Sequence, residues 1–172
     1  MSLISYVITT RGEAYALQWL RGVKRNLAYK AAGYDIDMLK AIANGPCIIT
    51  LANSNYFAQM MSEQAPYDQQ SAAVKITPII PQNAHVNVSG AILIEHSKHP
   101  TKALDLLEFL SGKLAQEIYS TVNFEFPARG DIRPSKSMRT LYPEFDGDLV
   151  ATNKITSHYQ RAVELVKLIE AK

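Results

Sequence analysis

The chain has 172 residues, of which 47% are hydrophobic and 20% are charged, a length and composition that support a buried core and exclude an intrinsically disordered chain. Its 18 basic and 16 acidic residues nearly cancel, which disfavours a protein that binds nucleic acid through a basic surface. The single cysteine excludes an internal disulfide, and no apolar run approaches the ~20 residues of a membrane-spanning helix.

The first third of the chain predicts the element order helix, helix, strand, helix. Apolar residues at helical spacing predict helices at 13–27 and 35–44, and a glycine ends the second one. Residues 47–52 form a short continuous apolar run, which is typical of a strand covered on both faces. Ser54 is a favourable N-cap for a short helix at 54–61. This order indicates an α/β lobe.

The remaining residues predict further strands and two long helices. Pro100 begins a helix whose apolar face consists of Ala103, Leu106, Leu107, Leu110 and Leu114. This helix is expected to break near residues 111–112 and to resume as far as residue 119. The other expected elements are a surface loop at 62–71, strands at 74–80 and 86–94, an extended segment at 124–127, an irregular stretch at 130–147 and a helix at 157–171.

The residue patterns that usually carry catalysis are absent from the sequence, which favours a protein that is not an enzyme. There is no glycine-rich phosphate loop, no nucleophile elbow and no HExxH pair. His96 and His99 lie beside Glu95 and could form a surface metal site, but solvated side chains at a strand-to-helix junction are the better interpretation. Cys47 lies in an apolar run, where an inert core residue is the better interpretation.

Residues 53–57, Asn-Ser-Asn-Tyr-Phe, are the strongest candidate for a binding segment. They lie where a predicted strand ends and a helix begins, the position at which open α/β sheets bind ligands. The free N–H groups at a helix start favour anions and a phenolate. Considered by itself, Tyr56 is either a ligand-binding group or a packing or surface residue, and the second interpretation is the more common one.

Several short motifs match one known family in order and with similar gaps. They are Gly12-Glu13-Ala14 with Trp19-Leu20-Arg21-Gly22, Gly33-Tyr34-Asp35 with Ala41-Ile42-Ala43-Asn44-Gly45, Asn53-Ser54-Asn55-Tyr56-Phe57, His85-Val86-Asn87-Val88-Ser89-Gly90, Leu106-Leu107-Glu108-Phe109-Leu110 with Ala115-Gln116, and Phe124-Glu125-Phe126-Pro127. Each motif is weak by itself, but the ordered set covers nearly the whole chain. With this set the chain resembles the C-terminal portion of the periplasmic ferric-iron-binding proteins of ABC transporters, within the type-1 extracellular solute-binding family.

The resemblance implies an α/β fold of the periplasmic-binding-protein-like type II class, truncated to one lobe plus returning segments of the other. Residues 4–85 would form most of one lobe with the strand-to-helix junction at its ligand cleft. Residues 86–172 would form a crossover strand and C-terminal helices of the other lobe. The implied function is the substrate-binding component of an ABC importer, which delivers Fe(III) from the periplasm to a membrane permease. No secretory signal is recognisable here, and we expect it to lie outside this sequence.

The resemblance also assigns the site residues. The two ligating tyrosines of the family fall on Asn55 and Tyr56, so Tyr56 is the expected metal ligand and a neutral amide replaces its partner. Fe(III) is a hard cation that prefers anionic oxygen, so this replacement indicates a depleted iron site. Asn53, Ser54, Asn55 and Asp35 are the expected anion-binding or ligand-binding residues. Tyr34 adds a phenol where the family has an asparagine.

Two other functions stay open. The first is a solute-binding protein of the same fold for a different anion or small polar ligand, in which Tyr56 and Asn53 would donate or accept hydrogen bonds. The second, less favoured because no catalytic group is recognisable, is an intracellular α/β enzyme or regulatory domain.

The resemblance carries an expectation about assembly. In a two-lobed fold the segments 74–80 and 86–94 would cross between the lobes and leave apolar surface that the absent half normally covers. Large exposed apolar patches tend to find partners. We therefore expect this chain to form a homo-oligomer.

Overall fold

A computed structural model describes residues 1–30, 32–45, 47–143, 145, 147–148 and 150–170. Most of these residues lie in helices. The elements are α1 (Ser2–Arg11), α2 (Glu13–Arg25), α3 (Asp35–Asn44), α4 (Ser54–Met60), α5 (Tyr67–Ala73), β1 (Ala84–His85), α6 (Pro100–Ser111), α7 (Lys113–Val122), α8 (Lys136–Leu141), β2 (Gly147–Asp148), α9 (Thr152–Ser157) and α10 (Tyr159–Glu170). None of the helices in these ranges has the length and apolar character that crossing a lipid bilayer requires.

The chain divides into two compact units whose segments alternate along the sequence. The first unit comprises Met1–Ala31, Pro81–Val88 and Asp146–Lys172, and the second unit comprises Ala32–Ile80 and Ser89–Phe145. Each predicted domain, 4–85 or 86–172, is one continuous stretch of sequence, so the predicted domains and the observed units group the residues differently. The assignment of residues to lobes of a larger binding protein stays a prediction.

The first unit is built on three helices that share one small core. Ile8 of α1, Ala16 of α2, and Ala162 and Leu165 of α10 are its buried residues. Ala162 and Leu165 are three positions apart and therefore lie on one face of α10. The predicted C-terminal helix is confirmed as α10, preceded by the separate short helix α9; its predicted end at residue 171 lies outside the described residues.

The first unit also contains the only sheet among the described residues. β1 and β2 are parallel, with Ala84 opposite Gly147 and His85 opposite Asp148. Each strand is two residues long, so this sheet contributes little hydrogen bonding to the fold. It does, however, fix His85 and Asp148 side by side.

The second unit has the larger core, which short helices surround. Its buried residues come from α3, α4, α5, α8 and the segments that follow α7 and α8: Leu39, Phe57, Ala58, Met60, Ala72, Ala73, Phe124, Met138 and Tyr142. The predicted helices at 35–44 and 54–61 are confirmed as α3 and α4. Asn53, and not the predicted Ser54, occupies the N-cap position of α4, and Tyr34 occupies that of α3.

The strand predictions were wrong for the described residues. Residues 47–52, 74–80 and 86–94 contain no strand, and β1 lies just before the third of these segments. The segment at 47–52 was predicted to be covered on both faces, yet Ile48 is 95% exposed. A strand forms only where a neighbouring strand receives its backbone hydrogen bonds, and none of these segments has such a neighbour here.

Two stretches predicted to be irregular contain helices. The expected loop at 62–71 includes most of α5, which begins after Pro66 and buries Ala72 and Ala73 in the core of the second unit. The expected irregular stretch at 130–147 includes α8, where the Ser135 hydroxyl accepts a hydrogen bond from the Met138 backbone N–H. Both helices are short, so their apolar residues show little periodicity in the sequence.

The long amphipathic helix was predicted correctly in its start and its break, but α7 ends at Val122 and not at residue 119, and the burial differs. It begins at Pro100, and Gly112 separates α6 from α7 as expected. A Cβ at Gly112 would lie 3.0 Å from the Phe109 carbonyl oxygen, which explains a glycine at this break. On the predicted apolar face, however, Leu106 and Leu114 are exposed, because the described residues place no element over them.

Candidate functional site

The predicted binding segment begins where Asn53 meets the first turn of α3. Asp35 is the first residue of α3, and its Oδ1 accepts hydrogen bonds from the Asn53 backbone N–H at 2.7 Å and from Asn53 Nδ2 at 3.2 Å. A carboxylate is favourable in the first turn of a helix because the free N–H groups there carry positive partial charge. The structure therefore brings two of the predicted site residues together, with Asp35 holding the residue that caps α4.

A buried tyrosine fixes the next residue of the segment. The Tyr142 hydroxyl donates a 2.7 Å hydrogen bond to the carbonyl oxygen of Ser54. Burial raises the pKa of Tyr142 to about 12, so this phenol stays protonated and remains a donor at neutral pH. Tyr142 was missed in the sequence because it lies in a stretch without periodicity, 88 residues from Ser54.

Tyr56 lies in the first turn of α4 and is half-buried. Its ring packs against the core of the second unit, where Phe57 and Met60 of the same helix are fully enclosed. Its hydroxyl has no hydrogen-bond partner among the described residues. The packing interpretation therefore holds for the ring, and a ligand-binding role of the Tyr56 oxygen stays a prediction. The neighbouring Asn55 is also half-buried.

The other phenol predicted near the site, Tyr34, lies in solvent. Its side chain is 84% exposed, and its backbone N–H donates to Asp37 Oδ2 at 2.9 Å. Tyr34 thus contributes its backbone to the start of α3, and its ring is not packed into the junction.

The described part of the chain does not contain a complete metal site of conventional ligands. No group of three or more His, Cys, Asp or Glu side chains is arranged to hold a metal ion within it. His96 and His99 are exposed, as expected for solvated residues at a helix start. At the candidate site, Tyr56 supplies a phenol whose hydroxyl has no hydrogen-bond partner among the described residues, and Asn55 offers only a neutral amide.

A second polar cluster, not predicted from the sequence, lies in the first unit. The Tyr6 hydroxyl donates to Asp148 Oδ2 at 2.6 Å, and its ring stacks on His85 with the centroids 4.8 Å apart. His85 Nε2 is hydrogen-bonded to Ser2 Oγ at 2.8 Å, while its buried Nδ1 has no partner among the described atoms. Burial, followed by the Asp148 hydrogen bond, raises the pKa of Tyr6 to about 12, and burial lowers the pKa of His85.

The first unit also has a surface cavity of about 280 Å³ between the ends of α2 and α10. Its lining residues are Arg21, Lys24, Arg25, Leu168 and Ile169. Lys24 Nζ donates to the Ile169 carbonyl oxygen at 2.6 Å, which ties the two helix ends together. None of the predicted site residues lines this cavity, so it supports no part of the expected iron chemistry.

Comparison with known protein sequences finds relatives along most of the chain. No family model matches the sequence. The chain is 27% identical over 158 residues to "Iron uptake protein A1" of Synechocystis sp., a match that covers 90% of this chain and 43% of the relative. It is 31% identical over 133 residues to "Iron uptake protein A2" of the same organism, covering 74% of this chain and 38% of the relative.

Solved structures match almost the whole chain. A Bordetella ferric binding protein aligns with a TM-score of 0.86 at 32% identity, covering 98% of this chain and 55% of that one. A ferric binding protein from Campylobacter jejuni aligns with a TM-score of 0.92 at 26% identity, covering 98% of this chain and 54% of that one. A Trichodesmium protein solved with iron and citrate ligands aligns with a TM-score of 0.88 at 29% identity, covering 99% of this chain and 55% of that one. The chain thus spans about half the length of these solved proteins.

Proposed function

We propose that this chain, whose homologues are ferric iron-binding proteins, forms part of the substrate-binding component of an ABC importer and contributes one ligand to Fe(III). The predicted fold class is confirmed, since the structural neighbours share the type II periplasmic-binding-protein-like fold over 98% of this chain. The relatives are named as iron-binding or iron-uptake proteins, which favours binding over catalysis. The proposal also includes a location in the periplasm and delivery of Fe(III) to a membrane permease.

The observation that carries the proposal is the Tyr56 hydroxyl in the first turn of α4. It has no hydrogen-bond partner among the described residues, although the ring is held against the core. A free phenol loses its proton near pH ~10, but a bound cation stabilises the phenolate and lowers that value. Fe(III) is hard and prefers anionic oxygen. Tyr56 would therefore bind Fe(III) as a phenolate with its ring already fixed by packing.

The roles of the neighbouring predicted residues follow from their contacts. Asp35 is engaged by two hydrogen bonds from Asn53, so we assign it to positioning the start of α4 and not to contact with iron. Asn55 occupies the position of a second ligating tyrosine and supplies no anionic oxygen. The site within this chain is therefore weak, and further ligands must come from the part of the fold that the chain does not span. Binding of an anion by Asn53, Ser54 and Asn55 stays a prediction.

The alternative function, binding of a different anion or a small polar solute, has no observation among the described residues in its favour. The names of the curated relatives refer to iron. The Trichodesmium structure holds citrate together with iron. The alternative is retained as one outcome of the test, since a sugar or polyamine that binds the folded protein would raise its thermal stability.

The test is titration with ferric citrate of this chain and of the product of the complete reading frame to which it belongs. A phenolate ligand gives a visible phenolate-to-iron charge-transfer band. We expect the band in the complete product and its loss in Tyr56→Phe. Asp35→Ala is expected to keep the band and to weaken iron binding by about 10-fold, the lower end of the effect of residues that orient a ligand.

Tyr67→Phe is the matched control, because Tyr67 is an 86% exposed phenol on a different helix of the same unit. Its band is expected to be unchanged. Absence of a band in the complete product, or a band that survives Tyr56→Phe, contradicts the proposal. A thermal shift with a sugar or polyamine and none with ferric citrate replaces it with the alternative.

A further inference from the structure

The polar cluster of the first unit surrounds one half-buried histidine, His85. The ring of His85 stacks on the ring of Tyr6, with 28° between the two ring planes. Its Nε2 lies 2.8 Å from Ser2 Oγ and 3.1 Å from Asn87 Oδ1. The Tyr6 hydroxyl in turn donates to Asp148 Oδ2 at 2.6 Å. Together these contacts join α1 to both strands of the small parallel sheet.

The cluster lies on the segments by which the chain passes between its two units. β1 belongs to the segment Pro81–Val88, which the chain enters from the second unit and leaves for the second unit. β2 follows the last passage, at which the chain returns to the first unit after Phe145. The two strands share only two residue pairs, so their backbone pairing is weak by itself. The contacts around His85 therefore help to fix both connecting segments to the first unit.

The hydrogen bonds of His85 specify a neutral ring. Asn87 Oδ1 can only accept a hydrogen bond, so Nε2 carries the hydrogen atom and Nδ1 carries a lone pair. Nδ1 is buried and has no hydrogen-bond partner among the described atoms. A proton added at Nδ1 would be a buried donor without an acceptor, and it would place a positive charge away from water. This environment therefore suits the neutral imidazole and disfavours the imidazolium.

The charged groups around the ring do not offset this cost. Asp148 of β2 attracts an imidazolium, but its Oδ2 already accepts the hydrogen bond from Tyr6. On the side of α1, the α-ammonium group of Met1 repels an imidazolium, and Tyr6 is an uncharged phenol whose pKa is raised to about 12. Burial is the largest influence, and it lowers the pKa of His85 from the usual 6.5. The ring is therefore neutral at neutral pH and takes up a proton only in acid.

We propose that His85 is a pH-dependent latch, which holds β1 to α1 and to β2 when it is neutral and releases both connecting segments when it is protonated. The core that α1, α2 and α10 share does not include the cluster, so it is expected to stay folded. A group whose pKa is lowered by folding contributes stability that is complete above about pH 6.5 and is lost as the pH falls below that value. The proposal concerns the first unit alone and does not depend on iron binding.

The first experiment is an NMR titration of the imidazole rings in this chain, labelled with ¹⁵N at histidine. We expect His85 to carry its hydrogen on Nε2 at neutral pH and to titrate at a lower pH than the exposed His96. A midpoint at or above that of His96, or a hydrogen on Nδ1 at neutral pH, overturns the proposal. No substitution is needed, so this result decides even where a variant fails to fold.

The second experiment measures the release itself by amide hydrogen exchange at about pH 7.5 and about pH 5, corrected for the intrinsic exchange rates. Protection in β1 and β2 is expected to fall severalfold in acid, with a limit of about 30-fold for a histidine that takes up a proton only after release. Protection in α2 and α10 is expected to change little.

Two variants assign the acid response to one side chain. His85→Gln keeps an N–H donor towards Asn87 but does not titrate in this range, so the loss of protection is expected to disappear. His96→Gln is the matched control, because His96 is exposed and lies in the second unit, and it is expected to keep the full loss. If His85→Gln shows no protection at either pH, the NMR titration decides.

The proposal is overturned if β1 and β2 are equally protected at both pH values, if the loss persists in His85→Gln, or if His96→Gln abolishes it. Equal losses in α2 and α10 also overturn it, because acid would then unfold the whole unit. Because no iron is added, failure of these experiments is distinguishable from failure of the Tyr56 experiment.

Discussion

Tyr142 joins the core of the second unit to the backbone at which α4 begins, through its hydrogen bond to the Ser54 carbonyl oxygen. Tyr142→Phe keeps the buried ring but removes the hydrogen bond from the phenol to this carbonyl. We expect the free energy of unfolding to fall by about 1–2 kcal/mol at neutral pH, measured by urea denaturation. The exposed Tyr67→Phe is the control and is expected to be neutral, whereas a neutral Tyr142→Phe would show that water replaces the hydroxyl at no cost.

Because the pKa of Tyr142 is raised, we expect the stability of the fold to depend on pH in the alkaline range. The pKa of Tyr142 is about 12 in the folded chain and near ~10 when unfolded, so the native state binds the proton more tightly. Stability from this group is therefore complete below about pH 10 and is lost as pH rises towards 12. Over this pH range Tyr142→Phe is expected to lose less stability than the unsubstituted chain. Part of the loss should remain, because Tyr6, whose pKa is also raised to about 12, is still present in the variant. Equal slopes in both proteins between these pH values would contradict the prediction.

At the scale of the element, the start of α3 is specified by a glycine before the helix and a carboxylate in its first turn. Gly33 has φ of +86°, which favours glycine, and a Cβ there would lie 2.8 Å from Asp37 Oδ2. That carboxylate accepts the Tyr34 backbone N–H and so satisfies one of the free donors at the helix start. Asp37→Ala should lower the free energy of unfolding by about 1 kcal/mol. Asp105→Ala, within the exposed helix α6, is the control, and equal losses in both variants would argue against capping as the cause.

Elements were predictable to the extent that their cause is local. The helices α2, α3, α6 and α7 follow from apolar spacing, caps and a breaking glycine within their own sequences. The expected strands at 47–52, 74–80 and 86–94 were not found because a strand depends on a partner strand, which no local pattern reveals. The short helices α5 and α8 were missed because six or seven residues give too few turns for a periodic signal.

The candidate site was likewise predictable only where its cause lies in the local sequence. The segment 53–57 was predicted from a strand-to-helix context, of which the structure contains the helix but no strand at 47–52, and Asp35 was included through the resemblance. It could not reveal that Asp35 is engaged by Asn53, 18 residues away, or that Tyr142 holds Ser54 from 88 residues away. Those contacts depend on how α3, α4 and the segment after α8 pack together, and packing of this kind is a property of the whole unit.

For the whole molecule, the exposed apolar residues within 47–51, 76–80 and 91–94 predict how this chain behaves on its own. Ile48, Ile49 and Ile92 are among its most exposed side chains, and transfer of apolar surface out of water is favourable at about 25 cal/mol per Å². Copies of the chain can bury this surface against one another. We therefore expect sedimentation at micromolar concentration to show concentration-dependent oligomers, with a shift towards monomer in Ile48→Asn combined with Ile92→Asn.

The control for this assembly is Tyr67→Asn, which removes exposed aromatic surface from a helix and is expected to leave the oligomers unchanged. Added salt should not dissociate them, because residues 47–51, 76–80 and 91–94 carry no charge and screening acts only on charged groups. A chain that sediments as a monomer across this concentration range would mean that the exposed isoleucines cost too little to drive assembly.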